Sequence, residues 1–482
     1  MSLTRLPRSS DFCWEWEGRH EVPHLPAEII DIIVGFATDL TFVQEYQDPH
    51  DMESCFQRLR NREILCAFAL VSRNWLPACR RELFKCHNVV FDVQNSQKIS
   101  DFLDILRGSD QLPNLPHILS FLVAITFIIP VTYVGSIAQF PEETLKFLDE
   151  LAKRKMFFRP RTLCIDHNLV KLPDQSGICH RSDLISAIAK TFPTITQFHL
   201  DTNVSDGCYN NLDHLVFFFK ELQELDVRCW LISSSPHDDG SLYPYRFPEG
   251  LRALQYSDLF SLLDYDSPTL NWLRSHPPLR QMRRLLFIDA APSSHAVIQA
   301  FINICPNLDT LCLSYCARDQ MDENTGVIDL SHSKDLDRLC LHIPGFGITY
   351  SDSVRKDLVL NSILFTVRTA TSLRGSLEFL VEASQFCERA IDWWYSLGEA
   401  ISALPQDVVI KVRMDHQTGN IFRQEKGEGI IRMAFRNLLK KHRRILFSSE
   451  RREEWLYKPR GWDDFEEVAN QCTWKTIVIE DE

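Results

Sequence analysis

Between Pro160 and Leu341 the sequence returns seven times to a short strand-like word: PRTLCI, ITQFHL, LQELDV, LRALQY, MRRLLF, LDTLCL and LDRLCL. Successive words begin 26–35 residues apart. Within each, apolar side chains alternate with others at the period of a strand, so one face is buried and the other is left to a different environment. Helical stretches precede some of them: Leu184 to Phe192 ends in Phe-Pro before ITQFHL, and Val297 to Cys305 ends in Cys-Pro-Asn before LDTLCL. A single strand and helix cannot bury both of their apolar faces alone, so such units must stack on one another. The expected result is a curved parallel sheet with helices outside and a concave, solvent-facing strand surface, the usual place for a protein partner.

The period approaches that of leucine-rich repeats, and LQELDV, LDTLCL and LDRLCL carry their L-x-x-L-x-L core. After Leu341 the rhythm loosens. SLEFLV from Ser376 and VVIKVRM from Val408 read as further, irregular strands, followed by a basic helix over Ile430 to Phe447 and a closing strand in TWKTIVIE. The uncharged run Ile118 to Phe140 is long enough to span a bilayer. Pro130 near its centre, its polar and β-branched residues and the lack of flanking cations point instead to a buried strand, Ile118 to Ile129, then a loop and a helix containing Leu145, Leu148 and Leu151.

Charge and cysteine usage narrow the setting. Fifty-two basic residues against 65 acidic ones give a net charge of −13, which argues against a chain built to neutralise phosphates. Fifteen cysteines, an odd set without regular C-x-x-C pairs, read as reduced thiols. The opening MSLTRLPRSSDFCWEWEGRH has no apolar core of a secretory signal. The expected location is cytoplasmic, with the nucleus as the open alternative, and neither nucleic acid nor membrane is an expected partner.

No nucleophile elbow, P-loop, zincin or kinase motif occurs in the sequence. Gly345 and Gly347 form only a G-x-G pair, which reads as a turn. Cys305, Cys312, Cys316, Cys340 and His342 lie near one another in sequence, but they lack short paired ligand spacing and read as packing residues rather than zinc ligands. Arg432, Arg436, Lys440, Lys441, Arg443 and Arg444 form the strongest basic cluster, legible as a solvated helix face or as an import or anion-binding patch. The chain is therefore expected to be no enzyme and to need no cofactor or metal.

The most informative stretch precedes the repeats. In LPAEIIDIIVGF, Pro26 stands at a first helical position and Ile29, Ile33 and Phe36 share a helical face; LCAFALVSRNWLPACRRELF supplies two more helical pieces broken at Pro77. These residues resemble the F-box, the three-helix module that docks on the Skp-type adaptor of cullin-RING ubiquitin ligases. The likeness rests on Leu25-Pro26, the Ile29, Ile30 and Ile33 ladder, the Val71-Ser72-Arg73-Asn74-Trp75 turn and the closing Leu83-Phe84. It is closest to the F-box proteins abundant in mushroom-forming fungi, whose pattern is followed through about residue 107. The resemblance implies a substrate receptor, with Leu25, Pro26, Ile29, Ile30, Ile33, Val71, Trp75 and Leu83 binding the adaptor, and through it a cullin, while the repeats hold a target protein. A helical module this small is expected to leave apolar side chains such as Ile30 and Trp75 to be covered by a partner. The stretch Thr41 to Glu63 is longer than the loop usual in that family. Two consequences stay open: a surface excursion, or a cover over part of the adaptor surface.

The expected architecture is thus α/β: a lead-in over 1–23, a three-helix F-box-like module with a following strand and helix over 24–107, and an irregular leucine-rich-repeat-like solenoid over 108–482. The alternative function is a repeat-based interaction scaffold with a degenerate F-box.

Overall fold

The structure, a computed structural model, describes residues 26–30, 33–34, 67, 75–79, 89–92, 96–111, 117–122, 124–134, 137–157, 159–169, 178–179, 181–202, 211–228, 246–256, 268–290, 294–315, 327–343, 352–382, 391–416, 421–441, 443–451 and 475–477. Its chain forms two compact units, Met1–Cys86 with Pro113–Phe121, and His87–Leu112 with Leu122–Glu482. In the first, residues 27–30 and 76–79 are helical. The Pro26 carbonyl accepts the amides of Ile29 and Ile30 at 3.0 and 3.1 Å, as expected where proline opens a helix. Ile30, Val34, Ala78 and Cys79 form the buried cluster of this unit, with Trp75 packed against it. Ile118–Phe121 is a 3-10 turn rather than the start of a strand.

The second unit is built on one open sheet. Its elements in chain order are β1 (Val89–Asp92), α1 (Ser96–Asp110), β2 (Ala124–Val134), β3 (Ile137–Pro141), α2 (Glu142–Ala152), β4 (Thr162–Leu169), β5 (Ile178–Cys179), α3 (Arg181–Thr191), β6 (Gln197–Thr202), β7 (Glu224–Arg228), β8 (Ala253–Tyr256), α4 (Pro268–Ser275), β9 (Arg284–Ala290), α5 (His295–Ile304), β10 (Thr310–Tyr315), β11 (Arg338–Ile343), α6 (Asp352–Thr369), β12 (Ser376–Glu382), α7 (Ile391–Ser402), β13 (Val409–His416), α8 (Ile421–Ala434), α9 (Arg436–Lys440), β14 (Ile445–Arg451) and β15 (Lys475–Ile477). From β4 to β14 each strand pairs in parallel with the next one of the array, a small antiparallel β2–β3–β5 branch aside. This is an α/β sheet compatible with a solenoid.

All nine strand words read from the sequence coincide with strands β4 and β6 to β13. The apolar positions explain why. Leu225 and Val227, Leu285 and Phe287, Leu311 and Leu313, Leu339 and Leu341, and Leu377 and Phe379 are buried. On the same face Phe127 meets Phe147 of α2, and Phe287 meets Phe301 of α5. Five of the words open with an apolar residue at the end of a tight turn, and Leu373 stands in a similar turn shortly before a sixth: the amides of Leu222, Leu251, Met282, Leu308, Leu336 and Leu373 bond the carbonyls of Phe219, Pro248, Leu279, Cys305, Ser333 and Ala370. That turn brings the chain back under the preceding strand.

The repeats are joined by a second regular feature. The carbonyl just ahead of each strand accepts two successive amides of the following repeat: Arg161 from Thr196 and Gln197, Thr196 from Gln223 and Glu224, Gln223 from Arg252 and Ala253, Arg252 from Arg283 and Arg284, Arg283 from Asp309 and Thr310, Asp309 from Asp337 and Arg338, and Asp337 from Gly375 and Ser376. One oxygen with two lone pairs thereby fixes both neighbour and register.

Three expectations are corrected. The uncharged run is a strand only from Ala124, and it passes through Pro130 to Val134 instead of ending before it. Pairing with β1 stops at Ile128, so Pro130 lies beyond that neighbour, while on the other side it stays in register with Asn168 of β4. The expected basic helix over 430–447 is the end of α8, the short α9 and the start of β14, which continues the parallel sheet before the short β15 closes it antiparallel. Lastly, the strand and helix assigned to the N-terminal module are β1 and α1 of the sheet unit; β1 pairs with β2, and Phe102 of α1 packs on Phe147. Among the described residues, no helix is long and apolar enough to cross a membrane.

Two features generate tests. A Cβ on Gly375 would stand 2.7 Å from the Asp337 carbonyl oxygen, inside the inter-repeat bond itself. Gly375→Ala is expected to lower the urea midpoint by about 1–3 kcal/mol of stability, the usual cost of overpacking, whereas Gly429→Ala, with nothing within 4 Å of the new carbon, leaves it unchanged or raised. The second feature is His276, buried among Phe247 and Trp272. Its Nε2 accepts the Phe247 amide at 3.0 Å and its Nδ1 stands 2.7 Å from the Pro277 carbonyl, the pattern of a neutral ring. Burial, with Arg246 nearby, holds its pKa below the ordinary value despite the Pro277 bond. The unfolded chain then takes up a proton that the folded one refuses. Stability from this site is intact above pH 6.5 and declines as pH falls below it. Thermal melts between neutral and mildly acid pH are expected to show this fall, and His276→Gln to flatten it.

Candidate functional site

Strand alternation leaves a second face, turned away from the helices, as the candidate binding surface. Register aligns its residues in rows. The first runs Thr162, Gln197, Glu224, Ala253, Arg284 across β4 to β9; the second runs Cys164, His199, Asp226, Gln255, Leu286, Cys312, Cys340, Glu378, Lys411 across β4 to β13.

The first row is a continuous polar chain. Thr162 Oγ1 donates to Gln197 Oε1 at 2.6 Å, and Gln197 Nε2 donates to Glu224 Oε2 at 2.9 Å. The other oxygen of Glu224 accepts from Arg284 at 3.2 Å, although β8 lies between their strands. Strands two apart are separated by about 9.5 Å, a gap that arginine spans only because Ala253 occupies the row between them. Beside this chain, His199 Nδ1 and Asp226 Oδ2 stand 3.3 Å apart. The histidine side chain is 43% exposed and the Glu224 side chain 42%, so this end of the face meets solvent.

The centre of the face does not. Gln255, Leu286, Ile288, Cys312, Ser314 and Cys340 are all buried, and Leu286, Ile288, Cys312 and Cys340 make one apolar cluster. The expectation of a solvent-facing concave surface along the whole array therefore holds only in part. Cys312 and Cys340 are register partners on adjacent strands, and the hydrogen bond between their thiols, together with burial, pushes the Cys340 thiol well above its ordinary pKa, which suits packing. Cys305, buried at the end of α5, is raised by desolvation alone. Among the described residues no three His, Cys, Asp or Glu side chains converge as a metal site would require.

Beyond the cluster lies an ionic group. Glu378 accepts from Arg338 at 2.7 Å through Oε2, and from Lys411 at 2.8 Å and Ser376 at 2.9 Å through Oε1. Burial acts to raise the Glu378 carboxyl, but Arg338 and Lys411 outweigh it and hold the group below its ordinary value. Such a triad fixes the relative positions of β11, β12 and β13.

The residues singled out from the sequence lie in the N-terminal unit. Ile29 is 41% exposed, whereas Ile30 is 2% exposed and sits in the unit's own cluster, with Trp75 packed against it. Ile30 thus departs from the expectation of an apolar group awaiting a partner; it is core. Pro26 is exposed and Ile33 half-buried. Leu25, Val71, Leu83 and the stretch Thr41 to Glu63 lie outside the described residues. Sequence reasoning missed the Glu224–Arg284 bridge and the Glu378 triad. The signal was a charged residue next to an apolar core position in these words: Glu224 before Leu225, Arg284 before Leu285, Arg338 before Leu339, Glu378 after Leu377 and Lys411 after Ile410. No protein-family model matches the chain, and no curated protein matches it either.

Because the triad keeps Glu378 ionised, its stabilisation is full above the unfolded carboxyl value of 4.5 and is lost as pH falls through the lower folded value. Glu378→Gln would leave two cations facing a neutral amide, and with partial solvent access a loss of about 2–3 kcal/mol is expected. Urea titrations across the acid limb should show a shallower pH dependence in the variant than in the wild type.

Proposed function

We propose that the chain is a target-recognition subunit of a cullin-RING ubiquitin ligase: the N-terminal module binds a Skp-type adaptor, and the leucine-rich-repeat-like sheet unit holds a target protein. It performs no bond chemistry. It acts by position, raising the effective concentration of a target near the ubiquitin-transferring subunits. The observation that carries this reading is the ordered F-box-like set Leu25-Pro26, Ile29, Ile30 and Ile33, Val71 to Trp75, and Leu83-Phe84 within one short N-terminal stretch. The open polar end of the helix-free face, at Gln197, His199 and Glu224, supports the second half, because half-exposed, hydrogen-bonded side chains on a rigid sheet suit specific recognition.

Burial guides the choice of variant. Trp75 packs on the unit's own core, so removing it confounds folding with binding, whereas Ile29 is exposed. Wild-type protein mixed with a purified Skp-type adaptor is expected to co-elute in size-exclusion chromatography, and Ile29→Asp to abolish co-elution while leaving the circular dichroism spectrum and thermal midpoint intact. Failure of the wild type to bind the adaptor, or undiminished binding by the folded variant, overturns the reading and favours a scaffold that acts through the sheet unit alone.

A further inference from the structure

The basic cluster of the sequence comes apart in the structure. Arg432 is paired with Glu428 at 2.7 Å along α8. Arg443 is buried, and its guanidinium donates to the Leu404 carbonyl. It therefore ties the chain ahead of β14 to the turn following α7. A linear import signal is read as extended chain with every cation available, so a stretch whose Arg443 is used inside the fold is not presented in that form.

Four cations remain: Arg436 and Lys440, one helical turn apart on α9, then Lys441, and Arg444 directly ahead of β14. All four are exposed. Among the described residues none of the four is ion-paired, whereas Arg107 of α1 pairs with Asp104 and Lys146 of α2 with Glu142. Met433, 46% exposed near the end of α8, lies three residues before Arg436 and offers an apolar side chain close by in the chain. In a chain of net charge −13 these four exposed cations fall within nine residues, 436–444, and among the described residues Asp407 is an acidic group acting on the intervening Arg443.

We propose that this corner, Arg436, Lys440, Lys441 and Arg444 with Met433 close by in the chain, is a docking surface for a short acidic protein segment carrying one apolar side chain. Size and charge select this partner. The five residues of α9 rise about 7.5 Å, the span of about two residues of extended chain at ~3.3 Å each, so only a short stretch of a partner meets the helix itself. A nucleic-acid duplex or anionic bilayer spreads charge far beyond such a patch and would meet the repulsion of the acidic remainder of the chain. A short segment meets only the corner, because charges beyond about 8 Å are screened at physiological salt. The exposure of the four cations in the folded chain leaves the site open to an outside partner. The inference does not depend on adaptor binding.

The test uses the full-length protein and fluorescence anisotropy of a labelled Glu-Glu-Asp-Leu-Glu-Glu peptide. The peptide is expected to bind, to weaken as salt rises from about 50 to about 300 mM, and to lose affinity about tenfold or more in the Lys440→Glu, Lys441→Glu double variant. Arg374→Glu, a charge reversal elsewhere on the surface, should leave binding unchanged, and unaltered thermal midpoints show that both variants are folded. Absence of peptide binding, or equal binding by the double variant, overturns the proposal. So does binding of a DNA duplex or of phosphatidylserine vesicles, with the same loss in the double variant, at lower concentration than the peptide.

Discussion

A single carbonyl oxygen that accepts two amides of the next repeat is the interaction on which the sheet unit depends. From Arg161 to Asp337 it recurs ahead of nearly every strand. It fixes three things together: which strand is the neighbour, the register between the two, and the point at which the chain leaves its turn. Everything on the two faces follows from that alignment. The leucines of adjacent strands fall into a common buried layer, and the side chains between them fall into rows on the opposite side. A slip of one residue would exchange the layers, so the double bond at each junction also keeps polar and apolar faces apart.

That alignment makes unlike side chains neighbours across distances the sequence does not display. Glu224 and Arg284 are sixty residues apart, yet they meet because both precede a leucine in their words and a small Ala253 stands between. Glu378 meets Lys411 as a direct register partner and Arg338 on the diagonal, one same-face pair earlier on β11. The helix-free face consequently passes from half-exposed polar residues, through a buried sulfur and aliphatic centre, to a charged group largely withdrawn from water. Among the described residues of these rows, the first zone offers the most exposed hydrogen-bonding side chains, His199 and Glu224.

The strands of the repeat words were legible in the sequence because leucine spacing and turn signals agree there, as in LDTLCL and LDRLCL. The rhythm past Leu341 was not, since the eighteen-residue α6 lengthens one repeat and hides the period. Strand β14 was missed because Ile445 to Phe447 follow a run of cations that suits a helix end as well as a strand start. Of the candidate docking residues, the sequence told which are apolar but not which face the interior: Ile29 and Ile30 are adjacent and chemically identical, and only packing against Val34, Ala78 and Cys79 distinguishes them. Burial of the middle of the helix-free face was equally hidden, because Leu286 and Ile288 look like ordinary continuations of an apolar word.

The closing strand has a further consequence. Parallel stacking has no intrinsic end: the outer edge of β14 presents the same kind of template that every earlier strand offered to its successor. Strand β15 reverses direction and pairs with Ile445 to Phe447. A strand laid there occupies the amides and carbonyls of the first three residues of β14, so a further parallel strand cannot pair with that part of its edge. Among the described residues these three cover the start of an edge that would otherwise be open to pairing from molecule to molecule.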